Sequence, residues 1–83
     1  MDNRDKNSIN LEYPIVVHGV ELKSLTMRRP KVRDQLAVET AGVESERELT
    51  LFANLCDQTP ETIKDLDLKD YAALQKLFTG FLS

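Results

Sequence analysis

An alternating run of apolar residues near the start of the chain, followed by a tight-turn signal, most constrains the fold. Apolar residues at every second position lie on one face of a β-strand, and they are Ile9, Leu11, Tyr13, Ile15 and Val17. His18 and Gly19 then fit a two-residue hairpin turn, because glycine adopts positive φ freely and histidine tolerates it. Pro14 cannot donate a ladder hydrogen bond, so its strand is expected at a sheet edge. This stretch predicts a β-hairpin over residues 9–28.

The second strand of this hairpin changes its apolar parity part-way along. Leu22 falls on one parity, whereas Leu25 and Met27 fall on the other. A bulge near Lys23 and Ser24 is the simplest explanation. An isolated hairpin is marginally stable in water, so it must pack against the segments that follow.

Four segments with helical signals follow the hairpin. Pro30 suits the first position of the first helix, because its missing N–H has no helical partner there, and Gly42 is expected to end that helix. A capping-box pattern at residues 45–48 opens the second. Thr59 and Asp67 are suited to cap the third and the fourth. Three helices are predicted at approximately 31–41, 46–57 and 68–82, with a short helical turn at 60–65.

These elements predict an α+β fold in which an N-terminal β-hairpin packs on about three helices. A chain of 83 residues is too short for two independent cores, so residues 9–83 are expected to form one domain. The polar residues 1–8 are expected to form a flexible tail. In the first helix, Val32, Leu36 and Val38 recur at roughly helical spacing.

Charge and composition restrict the class of protein. Residues 1–33 carry seven Lys or Arg against four Asp or Glu, a net charge of +3, and residues 34–83 carry four against ten, a net charge of −6. This division favours two surfaces of opposite sign, or simply solvated faces. Nucleic-acid binding is not expected from a chain with a pI near 5. No signal peptide or membrane span is recognisable, and Cys56 is the only cysteine, so a cytoplasmic protein is expected.

Residues able to support catalysis or metal binding are few and isolated. His18 lies in the predicted turn without a second histidine, and Cys56 lies on the apolar stripe of the second predicted helix. The acidic run at residues 65–70 lacks the glycine and the ligand spacing of a calcium loop, and capping explains its carboxylates. The sequence therefore predicts no enzyme activity, no cofactor and no metal site.

Two groups of residues are candidates for contact with a partner. The first is a basic cluster around the start of the first predicted helix, where the helix dipole disfavours cations; it comprises Arg28, Arg29, Lys31 and Arg33. The second is apolar surface in excess of one narrow helical stripe; it comprises Leu51, Leu55, Phe78, Phe81 and Leu82. These apolar residues either complete the core or form a groove for an amphipathic helix or for self-association.

From residue 13 onward the chain resembles the tail assembly chaperones of contractile-tailed phages and Mu-like prophages. The resemblance rests on ordered features along the chain: Tyr13-Pro14-Ile15, Gly19, Leu22, Leu25, Arg28, Pro30-Lys31, Asp34, Leu51, Leu55, Thr59-Pro60, Leu66, Leu68, Asp70-Tyr71, Leu74 and Phe81-Leu82. It implies a non-enzymatic chaperone that binds the tape-measure protein and keeps it soluble until tail-tube subunits displace it. It also implies a location in the host cytoplasm and absence from the finished virion. A longer frameshifted form of the chain and a homo-oligomer are further partners that it suggests.

Two other classes of protein remain open at this stage. A small DNA-binding regulator would use the basic cluster at residues 28–33 on phosphate, and its binding would weaken steeply with salt. An antitoxin-like adaptor would use the same surfaces on a different protein.

Overall fold

The computed structural model describes residues 7–39 and 44–83, and its N-terminal part is a two-stranded antiparallel sheet. Strand β1 spans Ser8–Val17 and strand β2 spans Val20–Thr26. His18 and Gly19 join them with φ angles of 52° and 79°, so the predicted two-residue turn is confirmed. The first strand begins one residue earlier than predicted, and Asn7, also part of the predicted tail, accepts a hydrogen bond from Met27 N–H at 2.8 Å. The remaining tail residues, 1–6, lie outside the described residues.

The pairing of the two strands is irregular in the middle of the hairpin. Asn10 pairs with Ser24 and Ile15 pairs with Leu22, so four residues of β1 lie opposite Lys23 alone. The predicted parity change is present, but the extra residues belong to β1 and not to β2. This irregular segment contains Pro14, which a regular ladder would not accommodate in the middle of a strand.

Helices form the rest of the described chain, which confirms the predicted α+β fold class. The four α-helices and one 3₁₀ turn are α1 Val32–Glu39, the 3₁₀ turn Glu44–Glu46, α2 Arg47–Leu55, α3 Pro60–Lys64 and α4 Leu68–Leu82. The last helix has the predicted bounds, α2 and α3 are shorter than predicted, and α1 begins one residue later than predicted. The expected stop of α1 at Gly42 lies outside the described residues.

Helix starts follow local capping rules in two of the four cases. The Thr59 side chain accepts a hydrogen bond from Thr62 N–H, and the Asp67 side chain accepts one from Lys69 N–H. Both predicted caps are therefore confirmed. The predicted capping box of α2 is wrong, because Ser45 lies within the 3₁₀ turn and Glu46, at the N-cap, makes no side-chain capping bond.

Helix α1 starts in a different way from the prediction. Pro30 precedes the helix instead of occupying its first position, and Val32 is the first helical residue. The Asp34 carboxylate accepts a hydrogen bond from Lys31 N–H at 2.8 Å, which satisfies a donor just before the helix. Asp34 and Val38 form the buried face of α1. Val32 and Leu36, which were also predicted as apolar positions of this helix, do not belong to that buried face.

The core is shared by the hairpin and the helices. Its most deeply buried large side chains are Phe52, Met27 and Leu74, which come from α2, the end of the hairpin and α4. The Phe52 ring lies 5.5 Å from the Tyr71 ring and 5.3 Å from the Phe78 ring, measured between centroids. The hairpin and the helices therefore depend on one apolar cluster for their stability.

A buried carboxylate ties the hairpin to α4. The two oxygens of Asp70 accept hydrogen bonds from Glu12 N–H at 2.9 Å and from Tyr13 N–H at 3.1 Å. These donors belong to the irregular segment of β1, opposite Lys23 in the strand pairing. Asp70, which lies in the first turn of α4, thus links this helix to the hairpin through two backbone amides.

Candidate partner-binding groove

A shallow apolar groove runs between α1 and α4, with α2 beneath it. It consists of two adjoining hollows of about 260 Å³ and 230 Å³, which share Gln35, Leu51 and Phe78. The first hollow is also lined by Pro30, Lys31, Val32 and Leu82, and the second by Val38, Arg47 and Glu48. We call these ten residues the α1–α4 groove.

Large apolar side chains are exposed along the groove. Val32 and Leu82 line it and are 78% and 67% exposed, and Leu36, one turn beyond Val32 on the same face of α1, is 57% exposed. Sequence reasoning placed Val32 and Leu36 at helical spacing but did not select them as surface residues. Their exposure follows from the buried Asp34, which rotates α1 so that its apolar pair faces outward.

The structure brings four of the nine predicted contact residues together in the groove. Leu51 and Phe78 form its floor, while Lys31 and Leu82 lie at one end. Leu51 is 5% exposed, so it contributes to the core as well as to the groove. Leu55 is 2% exposed and lies in the core, away from the groove lining.

The Arg28 side chain is bound to another residue of the same chain. Its guanidinium donates two hydrogen bonds to the Asp34 carboxylate, at 2.9 Å and 2.8 Å. Together with the Lys31 N–H, this pairing lowers the pKa of Asp34 to about 2, and the same carboxylate raises the pKa of Arg28. Arg28, a cation that the helix dipole disfavours at this position, therefore neutralises the Asp34 carboxylate at the start of α1.

Arg29 and Phe81 lie in a neighbouring cleft, on the hairpin side of α4. The Arg29 guanidinium carbon is 5.3 Å from the centroid of the Phe81 ring, and one of its nitrogens donates to the Phe81 carbonyl at 3.3 Å. A cation is favourable at this helix end, where carbonyl groups lack helical donors. The cleft, about 550 Å³ in volume, also includes Lys76 and Leu77.

The remaining predicted cation, Arg33, is exposed on α1 and lines neither the groove nor the cleft. Its positive charge helps to lower the pKa of Asp34. The four predicted cations therefore differ in their surroundings. Arg28 and Arg29 have partners within the chain, and Lys31 is the one that lines the groove.

Arg47 is a groove residue that sequence reasoning missed. Its Nε atom is buried and has no hydrogen-bond partner among the described residues. The neighbouring Glu48 accepts hydrogen bonds from the Tyr71 hydroxyl at 2.7 Å and from Gln75 Nε2 at 2.9 Å. Burial and this bond to Glu48 raise the pKa of Tyr71. The sequence of residues 45–48 has the pattern of a capping box, and this local pattern did not indicate the separate environments of Arg47 and Glu48.

Comparison with known proteins identifies the family. The family model described as "Phage tail assembly chaperone proteins, E, or 41 or 14" matches residues 8–83. The chain belongs to this family. Neither a comparison with curated proteins nor one with solved structures finds a significant match.

A tail assembly chaperone is not an enzyme, so family membership confirms the prediction of no enzyme activity. Burial raises the pKa of the Cys56 thiol to about 11, which keeps it protonated and unreactive at neutral pH. Within residues 7–39 and 44–83, no three His, Cys, Asp or Glu side chains are grouped closely enough to hold a metal ion. In that part of the chain no helix has the length and apolar character needed to span a membrane.

Proposed function

We propose that this tail assembly chaperone binds the tape-measure protein of its phage through the α1–α4 groove. The observation that carries the proposal is the exposure of Val32 and Leu82, which line the groove beside its apolar floor. Family membership supports a role in tail assembly. The tape-measure protein is a long, helix-rich chain, and an amphipathic helix presents the kind of apolar stripe that such a groove accommodates.

The shape of the groove suits reversible binding. It is shallow, and its exposed side chains are dispersed along its length, so each bound segment gains only a modest free energy. Many copies on a long partner would keep it soluble together, and weak individual contacts would allow tail-tube subunits to displace them. In this proposal the chaperone acts in the host cytoplasm and is absent from the finished virion. A longer frameshifted form of the chain would use the same groove.

The other predicted contact residues have secondary roles in this proposal. Arg29 and Phe81 would contact a bound segment from the neighbouring cleft, and Arg33 would contribute positive charge near α1. Arg28 and Leu55 would act indirectly, by fixing the start of α1 and by supporting the groove floor.

Co-expression with the tape-measure protein encoded by the same phage tests this function. We expect the wild-type chaperone to raise the soluble yield of that protein and to co-purify with it. Val32→Asp and Leu82→Asp should each abolish co-purification, because a carboxylate would be buried against the apolar stripe of the partner. Their thermal midpoints should stay within a few degrees of wild type, since both positions are exposed.

Val20→Asp is the matched control. Val20 is as exposed as Leu82 but lies at the hairpin turn, so this variant should capture the partner like wild type. Failure of the wild-type chaperone to solubilise or retain the tape-measure protein would refute the proposed function. Equal losses from all three substitutions would show that the groove is not the binding site.

A further inference from the structure

We infer that the helix occupying the α1–α4 groove carries carboxylates beside its apolar stripe, and that Lys31 and Arg47 bind them. This inference rests on the proposed function and specifies the chemistry of the partner. The two cations lie in different hollows of the groove, on either side of the shared floor of Leu51 and Phe78. A helix lying along the floor would therefore meet Lys31 at one end and Arg47, beside Glu48, at the other.

Ion pairs within the described part of the chain involve Lys23, Arg28, Lys64 and Lys69, and they leave Lys31 and Arg47 unpaired, as they do Arg29, Arg33 and Lys76. Lys23, Lys64 and Lys69 each form an ion pair with a neighbouring glutamate. Among the described residues, neither Lys31 nor Arg47 has a carboxylate oxygen within 4.0 Å. The groove thus retains positive charge that the fold itself does not neutralise.

Arg47 provides an independent reason to expect an acceptor. Its buried Nε–H lacks a hydrogen-bond partner in the described part of the chain, and an unsatisfied buried donor is unfavourable. Arginine nitrogens are arranged to bind a carboxylate through two parallel hydrogen bonds. A glutamate or aspartate of the partner would pair with Arg47 where it lines the groove, and a shift of the side chain would let Nε–H share that carboxylate, whereas a purely apolar helix would leave it unpaired.

Acidic residues of the chaperone near the groove are already engaged. Glu48 lines the Arg47 end, and one of its oxygens accepts from both Tyr71 and Gln75. Glu39 on α1 accepts from Gln35, which lies in the shared part of the groove. The acidic excess of residues 34–83 would repel an acidic helix from much of the remaining surface, although the cleft that contains Arg29 and Lys76 is also basic.

Binding of two designed peptides tests the inference directly. Both are amphipathic helices of about 20 residues with the same leucine stripe, and the stripe is flanked by glutamate in one and by lysine in the other. Fluorescence anisotropy of the labelled peptides gives their affinities for the full chain. We expect the glutamate peptide to bind about tenfold more tightly at roughly 50 mM NaCl, and the difference to shrink at roughly 500 mM.

Charge-reversal variants locate the preference. Lys31→Glu combined with Arg47→Glu should invert it, and Lys31→Glu alone should reduce it without altering Arg47 and its buried Nε–H. Lys23→Glu makes the same charge change on the hairpin and should keep the wild-type preference. Circular dichroism of each variant separates loss of binding from loss of folding.

Several results would overturn the inference. Equal affinities for the two peptides would do so, as would a glutamate preference that persists in the folded double variant. A stable dimer that Leu82→Asp dissociates, with neither peptide bound, would show that a second copy occupies the groove. Retention of the tape-measure protein by the double variant, with loss in Val32→Asp, would refute the charge assignment but leave the proposed function intact.

Discussion

At the scale of single residues, Asp34 has the largest effect on where the groove lies. Its carboxylate binds the Arg28 side chain and the Lys31 N–H, and it occupies the buried face of α1. An apolar residue would normally occupy such a position. Because a paired carboxylate does so instead, Val32 and Leu36 remain exposed on α1, and Val32 lines the groove.

We predict that Asp34→Ala destabilises the fold by about 1–2 kcal/mol at neutral pH, because a helix-start acceptor and an ion pair are lost. The pKa of Asp34 is lowered from 3.8 to about 2 in the folded state. Its stabilising contribution is therefore complete above the unfolded pKa and disappears as the pH falls through the folded one. Urea unfolding should show the wild-type advantage over the variant shrinking between roughly pH 4 and pH 2.

Asp65→Ala is the control for this measurement, because Asp65 is exposed and lies at the end of α3. Its effect on the free energy of unfolding should be small, within about 0.5 kcal/mol. An Asp34→Ala deficit that does not change with pH would contradict the assigned role of the carboxylate.

At the scale of elements, the sequence predicted those features that depend on neighbouring residues. The caps by Thr59 and Asp67 need only a side-chain oxygen and a nearby N–H, so their local pattern was sufficient. The end of α2 was harder to predict. Gln58 N–H donates to the Ala53 carbonyl and Asp57 N–H to the Asn54 carbonyl, which is a Schellman motif with aspartate at φ 57° in place of glycine.

We predict that Asp57→Gly stabilises the fold by about 0.5–1 kcal/mol, because glycine adopts this left-handed conformation without the strain of a Cβ atom. Thermal unfolding followed by circular dichroism measures the change. Asp65→Gly is the control, since Asp65 ends α3 with a φ of −84° and gains nothing from glycine. A lower midpoint for Asp57→Gly would show that its side chain contributes more than the backbone strain removes.

At the scale of the whole molecule, the arrangement of the hairpin on α4 could not be predicted. The alternating apolar residues and the turn signal identified the hairpin, and the cap identified the start of α4. Asp70 matches a position near a helix start, where capping explains an acid locally. Its bonds to Glu12 and Tyr13, 58 and 57 residues away in sequence, depend on the irregular strand pairing, which no local pattern specifies.

We predict that Asp70→Ala destabilises the fold by about 2–4 kcal/mol, because two backbone N–H donors in part-buried hydrogen bonds lose a charged acceptor. Asp70→Asn keeps an acceptor oxygen and should lose less. Hydrogen exchange measured by NMR should accelerate most at the Glu12 and Tyr13 amides in both variants. Unchanged exchange at these two amides, with an otherwise uniform loss of protection, would contradict a direct link between Asp70 and the hairpin.

Phe78 belongs to two parts of the molecule, and this restricts how related chaperones can diverge. Its ring packs against Phe52 in the core and also forms the floor of the groove. A change of this residue to suit a new partner would disturb folding at the same time. Adaptation to different tails should therefore be concentrated at the rim, in Lys31, Val32 and Leu82, while the floor is maintained by selection for a stable fold.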